Sequence, residues 1–190
     1  MCLEPNQEEV VIKERIPLCI DLDGTLIKND IFWESLRALL KKNVFYLLVL
    51  PIWLLKGKAF VKGQVSQRVS LNIVALPYHD LLLNYILSER KTGRNVVLAT
   101  GTHYRIATKI AKHLNCFDQV LASSDFDNLT GKRKSRVLVK RYGKRGFDYA
   151  GNSRVDLPIW ENANSAIIVS GSRNLIEAVK KVSRVETIFS

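Results

Sequence analysis

Cysteine is scarce in this chain of 190 residues: Cys2, Cys19 and Cys116 are scattered, with no metal-ligand spacing. A disulfide-stapled framework and a zinc-finger pattern are thereby excluded, and nothing points to an oxidising compartment. Long apolar runs are also missing. The stretch from Val44 to Leu55 falls short of the ~20 residues needed to cross a bilayer. No internal repeat or low-complexity tract interrupts the sequence. Met1 to Arg15 carries Glu4, Glu8 and Glu9 without an apolar stretch, so the expectation is that no signal peptide stands there and the protein is cytoplasmic. Acidic residues are outnumbered, 18 against 29 basic ones, for a net charge of +11. Such a balance suits nucleic acid, an anionic membrane surface or an anionic substrate. Nucleic acid is the least favoured of the three, because no RNA-binding aromatic signature accompanies the charge.

What is present reads as a globular protein. Hydrophobic residues make up 47% and charged residues 25%, and the length allows one domain, or a core with a small insert. Residues 1–16 read as an N-terminal arm. Pro17 to Leu22 is a short apolar strand with Gly24 supplying the turn after it. A helical stretch follows, with Ile31–Lys41 carrying Trp33, Leu36, Leu39 and Leu40 on one stripe. Val44–Leu55 is apolar almost throughout and is kinked by Pro51. Lys58–Asn72 continues as an amphipathic helix. Tyr78–Lys91 turns Leu81, Leu82, Tyr85 and Ile86 inward and stops at Gly93.

From Arg94 the rhythm alternates. Strands are predicted at Asn95–Thr100, Gln119–Ala122, Phe147–Ala150, Ala166–Val169 and Val185–Phe189. Helices are predicted at Thr102–Asn115, Lys132–Tyr142, Arg154–Ala163 and Asn174–Val182. Alternation of this kind predicts an α/β protein: a three-layer, Rossmann-like, mainly parallel sheet with helices on both faces. The core then comprises 17–27 and 92–190, with 28–91 inserted after the first strand as an α-helical unit.

The densest chemistry lies in Asp21-Leu22-Asp23-Gly24-Thr25-Leu26. In an open α/β sheet, ligands bind beyond the carboxyl ends of the strands. Alternate strand residues share a face, so Asp21 and Asp23 leave on one side while Leu22 returns to the core. Two such acids suit a nucleophile plus a proton donor, or two handles for a hard cation. A calcium loop would need further acids among the next residues, and Thr25, Leu26 and Ile27 do not supply them. Thr100 ends the second core strand and is followed by Gly101 and a helix N-terminus, which is a phosphate-binding arrangement of hydroxyl, close backbone approach and free N–H groups. Helix capping by Thr100 or Thr102 is the blander alternative. His103 reads as a surface residue of the first helical turn.

Asp-x-Asp-Gly-Thr-Leu resembles the first motif of the haloacid dehalogenase (HAD) superfamily of phosphotransferases, and three later segments are similar to its other motifs in the same order. The resemblance implies that Asp21 is a nucleophile forming an aspartyl-phosphate, that Asp23 is the acid/base, and that Thr100 and Gly101 bind phosphate. In Gly131-Lys132-Arg133-Lys134, with Leu138 four residues on, it implies Lys134 as the neutralising lysine, with Lys132 in reserve. The fourth motif is Gly151-Asn152-Ser153-Arg154-Val155-Asp156. Asn152 stands where the family usually has an acid, which lowers the expected affinity for Mg²⁺. The implied metal site combines Asp21, the Asp23 carbonyl, Asn152 and Asp156 with substrate phosphate and water, Asp156 holding either the metal's waters or the lysine, and the insert corresponds to the family's helical cap.

Two further stretches, Leu26–Leu55 and Gly146–Ser153, are similar to HAD domains fused ahead of membrane prenyltransferases of the UbiA type. The leading expectation is a Mg²⁺-dependent phosphatase of a small, lipid-linked or prenyl phosphate. The alternative is a catalytically weakened HAD domain that docks on, or regulates, a UbiA-type membrane prenyltransferase. Lys41, Lys42, Lys56 and Lys58 flank the apolar run. An ordinary cap-core helix is its preferred reading, and an interfacial helix at the cytoplasmic face of a membrane is the other.

Overall fold

Leu18, Cys19 and Ile20 are fully buried, and their side chains divide between two hydrophobic clusters on opposite faces of a sheet. In this computed structural model, which describes residues 15–190, they form strand β1 (Leu18–Ile20). All but Arg15 and Ile16 of the expected N-terminal arm lies outside the described residues. The other strands are β2 (Val96–His103), β3 (Gln119–Ser123), β4 (Asp148–Gly151), β5 (Ser165–Val169) and β6 (Arg184–Phe189). Their order is β3-β2-β1-β4-β5-β6, and every neighbouring pair is parallel. The order runs outward in both directions from β1, so the crevice at its carboxyl end is the topological switch point where such sheets bind ligands.

Helices cover both faces, as the alternating pattern predicted. On one side α4 (Asp80–Lys91) contributes Leu82 and Ile86, and α5 (Tyr104–Leu114) contributes Ile106, Ala107 and Ile110. On the other, α6 (Gly131–Tyr142) contributes Leu138, α7 (Leu157–Trp160) contributes Ile159 and Trp160, and α8 (Arg173–Lys180) contributes Leu175 and Val179. Trp160 is fully buried and its indole N–H donates to the Tyr149 carbonyl at 3.0 Å.

The insert holds α1 (Ile31–Lys42), α2 (Tyr46–Leu55) and α3 (Lys58–Arg68), whose own small core gathers Leu39, Trp53, Val61 and Val65. The chain enters and leaves this unit side by side: the Lys28 N–H donates to the Pro77 carbonyl and the His79 N–H to the Leu26 carbonyl, both at 2.9 Å. Helix α4 therefore packs with the sheet rather than with the cap, because Leu82 and Ile86 complete the cluster around Ile20 and Leu98. The insert's helical unit ends earlier in the chain than the sequence boundary at residue 91.

Other differences are local. Trp33 and Leu81 are more than half exposed, not turned inward with their neighbours. The helix expected over 154–163 is a 3₁₀ turn (Arg154–Asp156) followed by α7. Ser153 and Asp156 cap that turn reciprocally, and the demands of the Asp156 carboxylate tighten it.

A buried charge cluster closes the end of the sheet remote from the cleft. Arg94 pairs with Asp148 and, at 2.8 Å, with Glu89, and its Nε donates to the Ile16 carbonyl at 2.8 Å. Asp148 also accepts from Asn164 Nδ2 at 2.8 Å and Ser165 Oγ at 2.5 Å. Removing one partner strands the other charge out of water. We expect Arg94→Met to destabilise the fold by about 3–5 kcal/mol, measured by urea unfolding.

Candidate active site

A cleft of about 410 Å³ opens at the carboxyl ends of β1, β2 and β4, lined among others by Asp21, Asp23, Lys62, Gly101, Lys134 and Asn152. Asp21 leaves the end of β1, where its N–H extends the ladder by donating to the Ala150 carbonyl at 3.0 Å. Lys134 Nζ donates to Asp21 Oδ1 at 2.7 Å. No described residue donates a hydrogen bond to the other carboxylate oxygen. Burial pushes the Asp21 carboxyl up to about 7, with Asp156 and Asp23 adding to the rise and Lys134 opposing it.

Asp23 is on the same side, with Leu22 fully buried between the two. Asp23 Oδ1 accepts the Ile31 N–H at 2.8 Å, and Oδ2 accepts the Thr102 hydroxyl at 2.7 Å. Its carboxyl is raised above the ordinary carboxylate range by burial, against the pull of those two hydrogen bonds. A carboxyl held in this way retains a proton more readily than an exposed one, which suits an acid/base. Gly24 turns the loop at φ +72°, and a Cβ there would run into the Asn152 side-chain amide. The backbone after the two acids is thus pressed against the fourth-motif loop.

Lys134 lies in the first turn of α6, and Thr130 and Gly131 form part of the cleft wall. The helix N-terminus adds positive potential there. Lys134 also donates to the Tyr149 hydroxyl at 2.9 Å, and that hydroxyl donates to Asp156 Oδ1 at 3.0 Å. Burial, followed by the charges of Asp156 and Asp21, raises Tyr149 well above the usual phenol range, so it stays protonated. Asp156 Oδ2 accepts from the backbone N–H groups of Asn152 and Ser153 and from the Ser153 hydroxyl. Both oxygens of Asp156 are committed. The expected metal ligand thus contacts the Asn152 loop and, through the Tyr149 hydroxyl, the partner of Lys134.

Thr100 also departs from expectation. It is fully buried, its hydroxyl accepts the Thr102 N–H at 2.9 Å, and it does not line the cleft. Gly101 does line it, and its carbonyl accepts from Ser123 Oγ at 2.8 Å and from Lys62 Nζ at 2.7 Å. Lys132, the reserve lysine, is exposed.

Sequence reasoning missed Lys62, Thr102 and Tyr149. Lys62 projects from cap helix α3 into the cleft and also donates to Asn128 Oδ1 at 3.1 Å. Burial lowers its pKa, while the carboxylates of Asp23 and Asp30 support its charge. The available signal was Gly63. A glycine inside a helical pattern marks close approach, and a Cβ at Gly63 would strike the Asp125 carboxylate. His103 corrects the sequence reading outright, being 2% exposed. Its Nδ1 is 3.0 Å from Ser66 Oγ of the cap, and its Nε2 is 3.3 Å from Asp125 Oδ1, so cap and core meet across the ring.

Among the described residues there is no group of three His, Cys, Asp or Glu side chains able to hold a metal ion. A hard cation that keeps several waters and takes one or two protein carboxylates is a different case. The second Asp21 oxygen, the Asp23 carbonyl and the Asn152 amide oxygen are of the right chemical type for it. Asn152 presses on the Gly24 turn between the acids and the fourth-motif loop, so the residues fit such an ion, with one negative charge fewer than two acids would give.

Comparison with known proteins agrees with this geometry at the level of fold. No family model matches the chain. The y4nM protein of Sinorhizobium fredii is 39% identical over 156 residues, which cover 82% of this chain and 30% of that protein. The chain thus spans less than a third of the curated relative that it matches. Phosphoserine phosphatase superposes in its apo form with a TM-score of 0.63 at 15% identity, over 92% of this chain and 93% of that one. Its phospho-aspartyl intermediate analogue gives 0.62 at 15%, over 93% and 94%. An HAD family hydrolase from Salmonella enterica serovar Typhi gives 0.62 at 14%, over 85% and 66%. The chain shares with these structures its fold, a parallel Rossmann-like sheet with helices on both faces.

His103 gives this region a testable pH dependence. Burial is the main cause that lowers its pKa below the ordinary 6.5, with Asp125 opposing. The folded state therefore prefers the neutral ring. Its contribution to stability is complete above the unfolded value and is lost as pH falls through 6.5 toward the lower folded value. We expect the melting temperature to drop between neutral and mildly acidic pH, with a smaller drop in His103→Gln, as read by thermal unfolding of both proteins across that range.

Proposed function

We propose that the chain is a Mg²⁺-dependent phosphomonoesterase working through Asp21. The observation that carries this reading is the 2.7 Å contact of Lys134 with Asp21, beside a second buried acid held by Thr102. The ionised Asp21 oxygen attacks phosphorus, and the bond from phosphorus to the ester oxygen breaks. Asp23, protonated at that stage, gives its proton to the departing alkoxide. An acyl-phosphate on Asp21 results. Asp23, now a carboxylate, takes a proton from water as the water oxygen attacks phosphorus. Inorganic phosphate leaves and the Asp21 carboxylate is restored. Lys134 offsets the charge that gathers on the phosphoryl oxygens, and Tyr149 and Asp156 keep it aimed. Lys62 brings a second cation from the cap side, and α3 excludes water from the closed cleft. Asp21, the Asp23 carbonyl and Asn152 would hold Mg²⁺, which when bound supplies further charge neutralisation at the phosphoryl group. The substrate class is a small or lipid-linked phosphate monoester.

A second reading is a weakened HAD domain serving as the docking or regulatory half of a longer UbiA-type membrane prenyltransferase. It is favoured by the neutral Asn152 and by the small share of y4nM that the chain covers. Turnover separates the two readings. Phosphate release from an aryl phosphate is expected with Mg²⁺ and is expected to vanish in Asp21→Asn, while Asp23→Asn lowers kcat by ~10²–10⁴-fold. Absence of turnover at saturating Mg²⁺ overturns the enzymatic reading. Restoring the missing charge with Asn152→Asp should lower the Mg²⁺ concentration needed for half-maximal rate by about tenfold, as read from a metal titration of the same assay.

A further inference from the structure

Between Glu34 and Asp80 the chain has no acidic residue and seven Lys and Arg. Four of these, Lys41, Lys42, Lys56 and Lys58, bracket α2, and all four are exposed. Within α2 every residue is apolar or aromatic, yet only Trp53 is buried. Tyr46, Val49 and Leu50 pack partly into the cap core. The remaining faces are open: Phe45 is 70% exposed, Leu48 72% and Leu55 89%, and Leu47, Ile52 and Leu54 are each more than half exposed. A helix that is apolar all round belongs in a protein core or a bilayer. Contiguous apolar surface of this kind marks an interaction site rather than ordinary scatter. The preferred sequence reading, a simple cap-core helix, does not account for it.

We propose that α2 and its lysine collar dock the chain on an anionic lipid bilayer. At ten residues the helix is about 15 Å long, too short to span but long enough to lie along the headgroup boundary. Among the described residues no helix is long and apolar enough to cross a membrane. Charge decides between a bilayer and a second copy of the chain. Two such faces would bring eight collar lysines together, and no acidic residue lies between Lys41 and Lys58 to offset them, whereas anionic headgroups attract each lysine. The docked face belongs to the same cap that sends Lys62 into the cleft, and a phosphate carried on a lipid is the substrate class that such docking would favour. That last consequence rests on the phosphatase reading; the docking itself does not.

Flotation with phosphatidylcholine vesicles, with and without phosphatidylglycerol, tests the proposal. The expected result is recovery with the anionic vesicles, falling as salt is raised, and little recovery with neutral ones. Leu48→Glu/Leu55→Glu changes only exposed positions and should weaken recovery by about tenfold, while Leu87→Glu, on exposed surface of α4, leaves it unchanged. Asp21→Asn should float like the parent protein, so loss of hydrolysis and loss of docking are read separately. Three outcomes overturn the proposal: no recovery with anionic vesicles, recovery unaltered in the double glutamate variant, or a dimer in light scattering that this variant abolishes.

Discussion

Holding two carboxylates out of water at the end of one short strand is the constraint around which this molecule is arranged. Asp21 and Asp23 would each shed their charge if burial acted alone. Lys134 opposes that for Asp21, and Thr102 with the Ile31 N–H opposes it for Asp23. Lys134 is itself buried and needs its own partners, which brings in the Tyr149 hydroxyl and, behind it, Asp156. Asp156 then satisfies the N–H groups of the Asn152 loop. Thus β1, β2, α6 and β4 are tied together through a chain of polar contacts that begins with one ion pair. Such a network is stable only when every member is satisfied.

That dependence explains what was legible beforehand. Strand and helix alternation after Arg94 identified the sheet and its layers, because buried parallel strands read as short apolar runs. The spacing of Asp21 and Asp23 brought both acids to one cleft, because strand geometry alone puts both on one side. Lys134 was chosen over Lys132 on the motif, and the helix confirms that only the former turns inward. The contacts that needed tertiary structure were not legible. Tyr149 sits inside an ordinary strand sequence, and nothing local says that its hydroxyl bridges a lysine and an acid. Lys62 is one basic residue among seven between Glu34 and Asp80, distinguished only by the glycine after it. Thr100 shows the opposite failure, since its hydroxyl satisfies the local backbone instead of reaching the cleft.

Asn152 and the cap surface bear on the same question from two sides. The amide brings one negative charge fewer to the cleft than an acid would, in a loop whose N–H groups Asp156 accepts. The cap, by contrast, carries apolar and cationic character beyond what its own small core of Leu39, Trp53, Val61 and Val65 requires.

The paired linkers carry a consequence of their own. Since the segments at Leu26–Lys28 and Pro77–His79 hydrogen-bond to one another, the ends of the insert are already adjacent before any cap residue is counted. Closing that gap asks for no more than a tight turn. The helical unit is therefore a cassette: evolution or an engineer is free to shorten, replace or exchange it while the sheet beneath keeps its chain path, and the roof of the cleft can diverge without remaking its floor.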